Sequence, residues 1–427
     1  MTPQDAYPTA ADWAARADEA ARSVTALFGQ RLFFLPGTHI GAIVRPSHRV
    51  DNLFRPWHYW WQAHYVDCLV DAGNRELGNG AVPGATPAAQ FDGGAPASAG
   101  RLASRLLTGI RLRNFLTFVN SYYDDMAWLA LATLRLEELA EVTGRPPQSG
   151  PSRRSAHIRK TLTRQFDSAS TDDLGGGTFW SKNRDFKNTP ATAPVALYYA
   201  RTGQPAKAQA LLDWLDASLF DPSQGLYLDG LRIGSTGDVV VETAIYTYNQ
   251  GPVLGALLEL GGEANLARAI TVVEAVDRTL TAPPVVSGQD GAGATTTAVG
   301  TNRTVLRCAG TGDGGLFTGI LCRYLALAAA DSRLPEPVRA TAARLVLGTA
   351  EAFWAGRRHI SAAEQLSGHP AKHLPGHPGK HQGNLLFSVH PQIPAEAAYP
   401  PGTAVELSTQ LQAWMVLEAA AATQKSP

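Results

Sequence analysis

Cysteine is nearly absent: Cys68, Cys308 and Cys322 are the only three in 427 residues. An odd, widely spaced set without a Cys-x-x-Cys pair excludes a disulfide scaffold. Cys68 and Cys322 lie in apolar helical runs and read as buried free thiols. Excess charge of either sign is also missing, because 37 basic side chains face 37 acidic ones. Such a balance gives no general attraction to nucleic acid or to an acidic membrane. No apolar run approaches a membrane span. The opening Met1-Thr2-Pro3-Gln4-Asp5 lacks the basic and apolar regions of an export signal, so the chain as given reads as cytoplasmic unless a signal has been trimmed from it. The glycine runs 175–177 and 310–315 lack the Gly-Lys-Ser/Thr ending of a phosphate loop, and no Gly-x-Ser-x-Gly elbow occurs. His369, His373, His377 and His381 recur every four residues, but Pro370, Pro375 and Pro378 prevent the helix that would make them a metal ladder. Nothing asks for a metal or an organic cofactor.

What the chain does have is helix. Six strongly apolar segments rich in small residues begin near Trp57, Tyr122, Asn188, Tyr246, Gly314 and Val405. Each is apolar on more than one face, as expected of a helix packed on most sides. Segments of cleaner amphipathic periodicity alternate with them, at 9–28, 101–119, 152–166, 205–219, 264–280 and 336–354. In the second, Leu102, Leu106, Leu107 and Ile110 share a face while Arg101, Arg105 and Arg111 can meet water; Leu112 and Arg113 fit the stripe poorly. The alternation predicts an all-α fold: six helical hairpins, each with a polar outer and a buried inner helix, closed into an (α/α)6 toroid. Residues 1–427 form one domain in this reading. Val239-Val240-Val241 reads as a local hairpin. Stretches rich in Gly, Pro and Ala at 73–100, 142–151, 281–301 and 366–404 read as long loops, which in compact domains are usually functional or mobile. The loops at one end of the inner helices are therefore the first place to look for a site.

The chemistry centres on Asn120-Ser121-Tyr122-Tyr123-Asp124-Asp125-Met126-Ala127-Trp128. Two consecutive carboxylates stand where an apolar helix starts. One Asp there needs no more explanation than a helix cap. A second, flanked by two tyrosines and a tryptophan, fits that account poorly. A retaining glycosidase needs two carboxyl groups roughly 5 Å apart, one nucleophile and one proton donor, and neighbouring residues can supply them. Like-charge repulsion and partial burial would raise the pKa of one, while the helix terminus favours the ionised form of the other.

The Tyr-Tyr-Asp-Asp-x-x-Trp block resembles the signature of glycoside hydrolase family 76, the endo-α-1,6-mannanases. In the family's order stand Trp60-Trp61-x-Ala63-His64 before it, then Gly175-Gly176-Gly177-x-x-Trp180-Ser181-Lys182, Lys187-Asn188 and Asp229-Gly230 after it. Thr247-Tyr248-Asn249-Gln250-Gly251 and Phe317-x-Gly319-Ile320-x-x-Arg323-Tyr324 complete the series. Pro252, directly after this run, and the 366–404 segment depart from the pattern. The resemblance implies that Asp124 is the nucleophile and Asp125 the general acid/base; the residues alone leave the two roles exchangeable. It further implies that Asp229, Asn249 and Gln250 bind sugar hydroxyls and that Trp180 is a stacking platform. Tyr122, Tyr123 and Tyr248 could line the same groove, with Trp128 more in keeping with the core. Trp61, His64 and Lys182 complete the expected binding set. Arg323 would orient a buried carboxylate or sit in a structural ion pair.

The expected partner is an α-1,6-linked mannose oligosaccharide or polysaccharide, bound by a monomer without membrane insertion. Two alternatives keep the site: a transglycosidase on the same substrates, and a mannan-binding protein that has lost catalysis. Sugar epimerases of similar architecture depend on pairs of inner-helix histidines, and only His64 stands in such a place here.

Overall fold

The structure is a computed structural model describing residues 8–46, 56–78, 98–142, 151–282, 303–360, 383–400 and 402–424. Twelve long helices dominate it. In chain order they are α1 (Ala10–Phe28), α2 (Tyr59–Gly78), α3 (Ala99–Arg113), α4 (Tyr123–Val142), α5 (Pro151–Ala169) and α6 (Thr189–Arg201), followed by α7 (Pro205–Ser218), α8 (Thr247–Leu260), α9 (Glu263–Thr279), α10 (Phe317–Ala330), α11 (Glu336–Ala355) and α12 (Leu407–Thr423). The even-numbered helices form an inner ring. Each packs on the next, and α12 packs back on α2; the odd-numbered helices pack behind them. The predicted toroid is therefore present, with every inner helix running the same way.

The sequence explains the two layers. In α4 every residue from Met126 to Leu134 is buried, and in α12 every residue from Leu407 to Ala421. Small residues let such helices approach on several sides. Outer helices keep one wet face: in α3, Leu102, Ala103, Leu106, Leu107 and Ile110 are buried while Arg101 and Arg111 are exposed. That helix stops at Arg113, short of the 119 its periodicity suggested, because Asn114 leaves helical geometry and its side chain donates to the carbonyls of Thr117 and Val119. Caps fix other starts. Thr9 and Asp12 form a reciprocal capping box on α1, and the Asn188 side chain accepts from the Ala191 N–H at the head of α6. Pro252 lies inside α8 without ending it.

Parts of the expected loops are ordered structure. Residues 73–78 belong to α2, and within 366–404 lie a strand at Leu385–Leu386 and a turn of helix at Ala395–Ala398. The four-residue histidine spacing falls outside the described residues. Val239-Val240-Val241 does form a hairpin: Val239–Glu242 pairs with Gly230–Ile233, which also pairs with Phe186–Asn188. The three cysteines are free, with Cys68 and Cys322 buried as expected.

Two ionic networks hold the ring. At its seam Arg75 of α2 makes a two-pronged contact with Glu418 of α12 (2.8 and 3.0 Å) and a third with Asp18 of α1 (2.6 Å). Forked pairing of this kind is directional, so it fixes the register in which the last hairpin meets the first. Deeper in the ring, Arg135 and Arg323 each contact both Asp67 and Asp71, closing a cycle of alternating charge between α2, α4 and α10. Arg323 thus orients two carboxylates, the buried Asp67 and the partly buried Asp71, neither of them in the Asp124–Asp125 pair.

Candidate active site

Asp124 and Asp125 occupy the first turn of α4, and because all inner helices run in parallel, this end of the ring gathers six helix N-termini. The positive ends of their dipoles favour negative charge there. Local geometry is set by the chain after α5. The Tyr123 N–H donates to the Trp180 carbonyl (2.7 Å), the Lys182 N–H to Ser121 (2.9 Å), and the Trp180 N–H to Phe186 (2.8 Å). The Trp180-Ser181-Lys182 segment is thereby stitched to the start of α4. Behind it, Gly177 has φ +75 and a Cβ there would lie 2.5 Å from the Trp214 ring, so a side chain cannot fit. The buried Lys187 ammonium donates to the carbonyls of Thr171, Asp173 and Gly176, and burial lowers its pKa to about 8.

The Trp180 indole N–H donates to Asp124 Oδ2 at 3.0 Å, and Asp124 Oδ1 accepts the N–H of Asp125 at 2.9 Å. Asn120 Nδ2 donates to Asp125 Oδ2. The cap reading is thus partly right for Asp124, which satisfies one backbone donor, but the indole contact goes beyond a cap. Burial pushes both carboxyls up. Asp124 is held back by its hydrogen bonds, whereas Asp125 rises well above the carboxylate range because the charges of Asp124 and Asp313 add to its desolvation. The two neighbours are therefore unequal, with Asp125 the one that keeps its proton.

Asp313 was not legible as a site residue. It stands just before α10, where it accepts from the indole N–H groups of Trp60 (3.0 Å) and Trp61 (2.9 Å), with His58 Nδ1 at 4.0 Å. Its only local signal was the Gly-rich run around it; what makes it matter is contact with residues some 250 positions away. On the opposite side, Asn249 Nδ2 donates to Asp229 Oδ1 at 3.2 Å, and burial lifts Asp229 to about 6. Tyr248 lies between these groups: burial raises its hydroxyl far above normal, and Asp229, Asp124 and Asp313 all reinforce the shift. Its ring stacks on Phe317 at 3.8 Å and lies 6.4 Å from Trp60. Tyr122 covers Trp180 at 4.8 Å. The result is four carboxyl groups among half-buried aromatic rings, the composition of a neutral sugar site: faces for C–H surfaces and acceptors for hydroxyls.

The other expected binding residues differ in burial and in what holds them. Tyr123 is in the core at 3 % exposure, since Tyr122 and Tyr123 point to opposite sides of the helix start. Gln250 is fully buried, and its amide is consumed by Tyr227 N–H, Tyr227 C=O and Tyr246 C=O. It clamps a neighbouring strand and has nothing left for a ligand. Asn249 is equally buried, reaching the site only through Asp229. His64 is buried one turn below Trp60, its ring against Trp60 and Trp128, and burial keeps it neutral. Trp61 is buried apart from its bond to Asp313, and Lys182 is exposed. Among the described residues, no group of three His, Cys, Asp or Glu side chains is placed to hold a metal ion.

The family model for glycosyl hydrolase family 76 matches residues 12–368. No curated protein matches the sequence. Among solved structures, the GH76A α-1,6-mannanase from Salegentibacter sp. HEL1_6 is similar at 25% identity and TM-score 0.69, over 96% of this chain and 100% of that one. An inactive variant of that enzyme, with two consecutive aspartates changed to asparagine and α-1,6-mannotriose bound, aligns at 24% identity and TM-score 0.68, over 96% and 100% of the two chains. Dfg5 from Chaetomium thermophilum, solved with glucosamine, shares the fold at 14% identity and TM-score 0.58, covering 98% of this chain and 91% of that one.

Proposed function

Because the chain belongs to glycoside hydrolase family 76, we propose that it is an endo-acting hydrolase that cuts α-1,6-linked mannan with retention of configuration. The observation that carries this reading is the inequality of two adjacent carboxyls. Asp124, held by the Trp180 indole, is the more easily ionised; Asp125 keeps its proton. The mannotriose bound by the similar Salegentibacter enzyme supports the choice of sugar and linkage.

In the first step the Asp124 carboxylate attacks the anomeric carbon from one face. The bond to the leaving sugar breaks, and the Asp125 proton passes to its oxygen. Forming the glycosyl ester removes the charge on Asp124, and with it the repulsion that held the Asp125 pKa high. Asp125 is then a competent base: it takes a proton from water as that water's oxygen attacks the anomeric carbon and releases Asp124. Trp180, Tyr248 and Trp60 offer faces to the sugar, and Asp229 and Asp313 accept hydrogen bonds from its hydroxyls.

The test is incubation with linear α-1,6-mannan, followed by proton NMR of the fresh digest. New reducing ends should appear first as the α anomer. A β-anomeric burst would exclude retention, and an absence of new ends would leave a binding protein. Transfer to an added sugar acceptor would separate transglycosylation from hydrolysis.

A further inference from the structure

The neutral total charge hides one strongly uneven surface. Residues 29–46 and 99–123 carry Arg31, Arg45, Arg101, Arg105, Arg111 and Arg113 and no Asp or Glu. The same segments expose Phe33 (44 %), Phe34 (72 %), Leu35 (44 %), Leu112 (37 %), Phe115 (90 %) and Leu116 (63 %). Phe33, Phe34, Phe115 and Leu116 all have positive φ, between 47 and 64. Bulky residues adopt that conformation at a cost, and here burial offsets little of it. Strain with so little return in packing is a reason to look for function.

The two segments are one surface. His39 N–H donates to Arg105 C=O at 3.1 Å, and a Cβ at Gly109 would lie 2.0 Å from His39 O, so the first segment crosses α3 in direct contact. The Thr38 hydroxyl accepts from Leu32 N–H (3.1 Å) and donates to Leu35 C=O (2.7 Å), closing the Phe33–Leu35 turn against that crossing. Arg111 Nε donates to Leu116 C=O at 3.0 Å, which fixes the second turn. Each turn follows the C-terminal end of an outer helix and precedes an inner one, so both lie at the same end of the ring as Asp124 and Asp125.

We propose that this patch docks the protein on the surface of a bilayer containing anionic lipid, with the Phe33–Leu35 and Phe115–Leu116 turns in the headgroup region and Arg31, Arg111 and Arg113 against lipid phosphates. Exposed apolar side chains ringed by cations are what an interfacial contact requires. A neutral mannan offers the arginines no negative charge, and although Phe33, Phe34 and Phe115 have flat faces, Leu35, Leu112 and Leu116 beside them have none to give a sugar. A second copy of the same patch would set arginine against arginine. No described helix is long and apolar enough to cross a membrane, so the contact is peripheral. The docking stands apart from the proposed mannanase activity; only its corollary, a lipid-anchored mannan as substrate, rests on that reading.

Sedimentation of the full chain with vesicles tests it. The protein should pellet with phosphatidylcholine vesicles containing phosphatidylglycerol, much less with phosphatidylcholine alone, and less again in high salt. Phe115→Asn with Leu116→Asn suits the left-handed backbone, so the variant should fold; it should weaken vesicle binding about tenfold or more. Arg111→Gln and Arg113→Gln should each cost about fivefold on anionic vesicles. Cleavage of soluble mannan should be unchanged in all of these variants, and it reports separately on the proposed activity. Wild-type protein left in the supernatant, or equal binding by the double variant, would overturn the proposal. So would loss of mannan binding with vesicle binding intact, which assigns the patch to sugar. A concentration-dependent dimer that the double variant abolishes assigns it to a second copy.

Discussion

Replacing Asp124 by Asn should make the protein inactive and, above neutral pH, more stable. Asp124 titrates at about 7 in the fold against 3.8 for a free side chain, with burial the main cause. A carboxyl whose folded pKa is raised binds its proton more tightly folded than unfolded. Stability is therefore full below the unfolded value and is lost as pH climbs toward the folded one. A shift of about three units is worth roughly 4 kcal/mol at pH 8, at about 1.36 kcal/mol per unit. Asn cannot ionise and escapes this penalty, but its single oxygen cannot serve both Trp180 Nε1–H and the Asp125 N–H, which costs about 1 kcal/mol. Water at the mouth of the site screens the charge, leaving a net gain on the order of 1–3 kcal/mol. For a chain of 427 residues the unfolding entropy is about 0.9 kcal/mol/K, so Tm should rise by about 1–3 °C at pH 8. Below pH 4 only the lost hydrogen bond remains, and the variant should be the less stable by about 1 kcal/mol. Thermal unfolding of both proteins across this range is the assay. A variant at or below wild-type Tm at pH 8, or a difference without a change of sign, would show that Asp124 is not held as a strained, half-ionised group.

Other perturbations probe the remaining parts. The pH profile of kcat/KM should be bell-shaped: activity falls below about pH 7 as Asp124 gains its proton, and falls again at higher pH as Asp125 loses its own. Asp313→Asn keeps an acceptor for Trp60 and Trp61 but removes a charge that raises both aspartates, so both limbs should move to lower pH; unmoved limbs would confine Asp313 to holding the indoles. Trp180→Phe keeps a ring but removes the donor to Asp124, and kcat should drop by about tenfold to a hundredfold with a smaller change in KM. Arg323→Met leaves Asp67 and Asp71 sharing Arg135 alone, and chemical denaturation should show a loss of about 3–5 kcal/mol.

The ring was readable because burial on both sides leaves a compositional mark. Helices such as α4 and α12 are apolar around their whole circumference, whereas α3 keeps a stripe, and that alternation survives in sequence. The two-residue strand pairs, such as Thr281–Ala282 with Val305–Leu306, left no trace because so short an alternation cannot be told from chance. The Asp124–Asp125 pair was visible as a local anomaly. Asp313 was not, since its role exists only once the closed ring brings the start of α10 within reach of Trp60 and Trp61 on α2. Gln250 and Tyr123 show the limit of adjacency: each stands beside site residues in the chain, but a helix turns successive side chains through about 100°, and theirs are buried in packing.

The two ends of the ring differ in how much chain they use. At the Asp124–Asp125 end the connections are long, including 29–58, 170–188 and 219–246, and they supply Trp180 and Asp229. At the opposite end, α6 passes to α7 through Thr202-Gly203-Gln204, and α8 to α9 through Gly261-Gly262. Nothing in the site touches these turns, and Gly203 and Gly262 have open space where a side chain would go. A cysteine placed there for coupling would need to tolerate their positive φ, which a one- or two-glycine insertion around it relieves. A protein immobilised through that end would stand with its Asp124–Asp125 rim facing outward. That orientation would suit the proposed mannan substrate, a polymer that cannot diffuse into a support and has to be met at its surface.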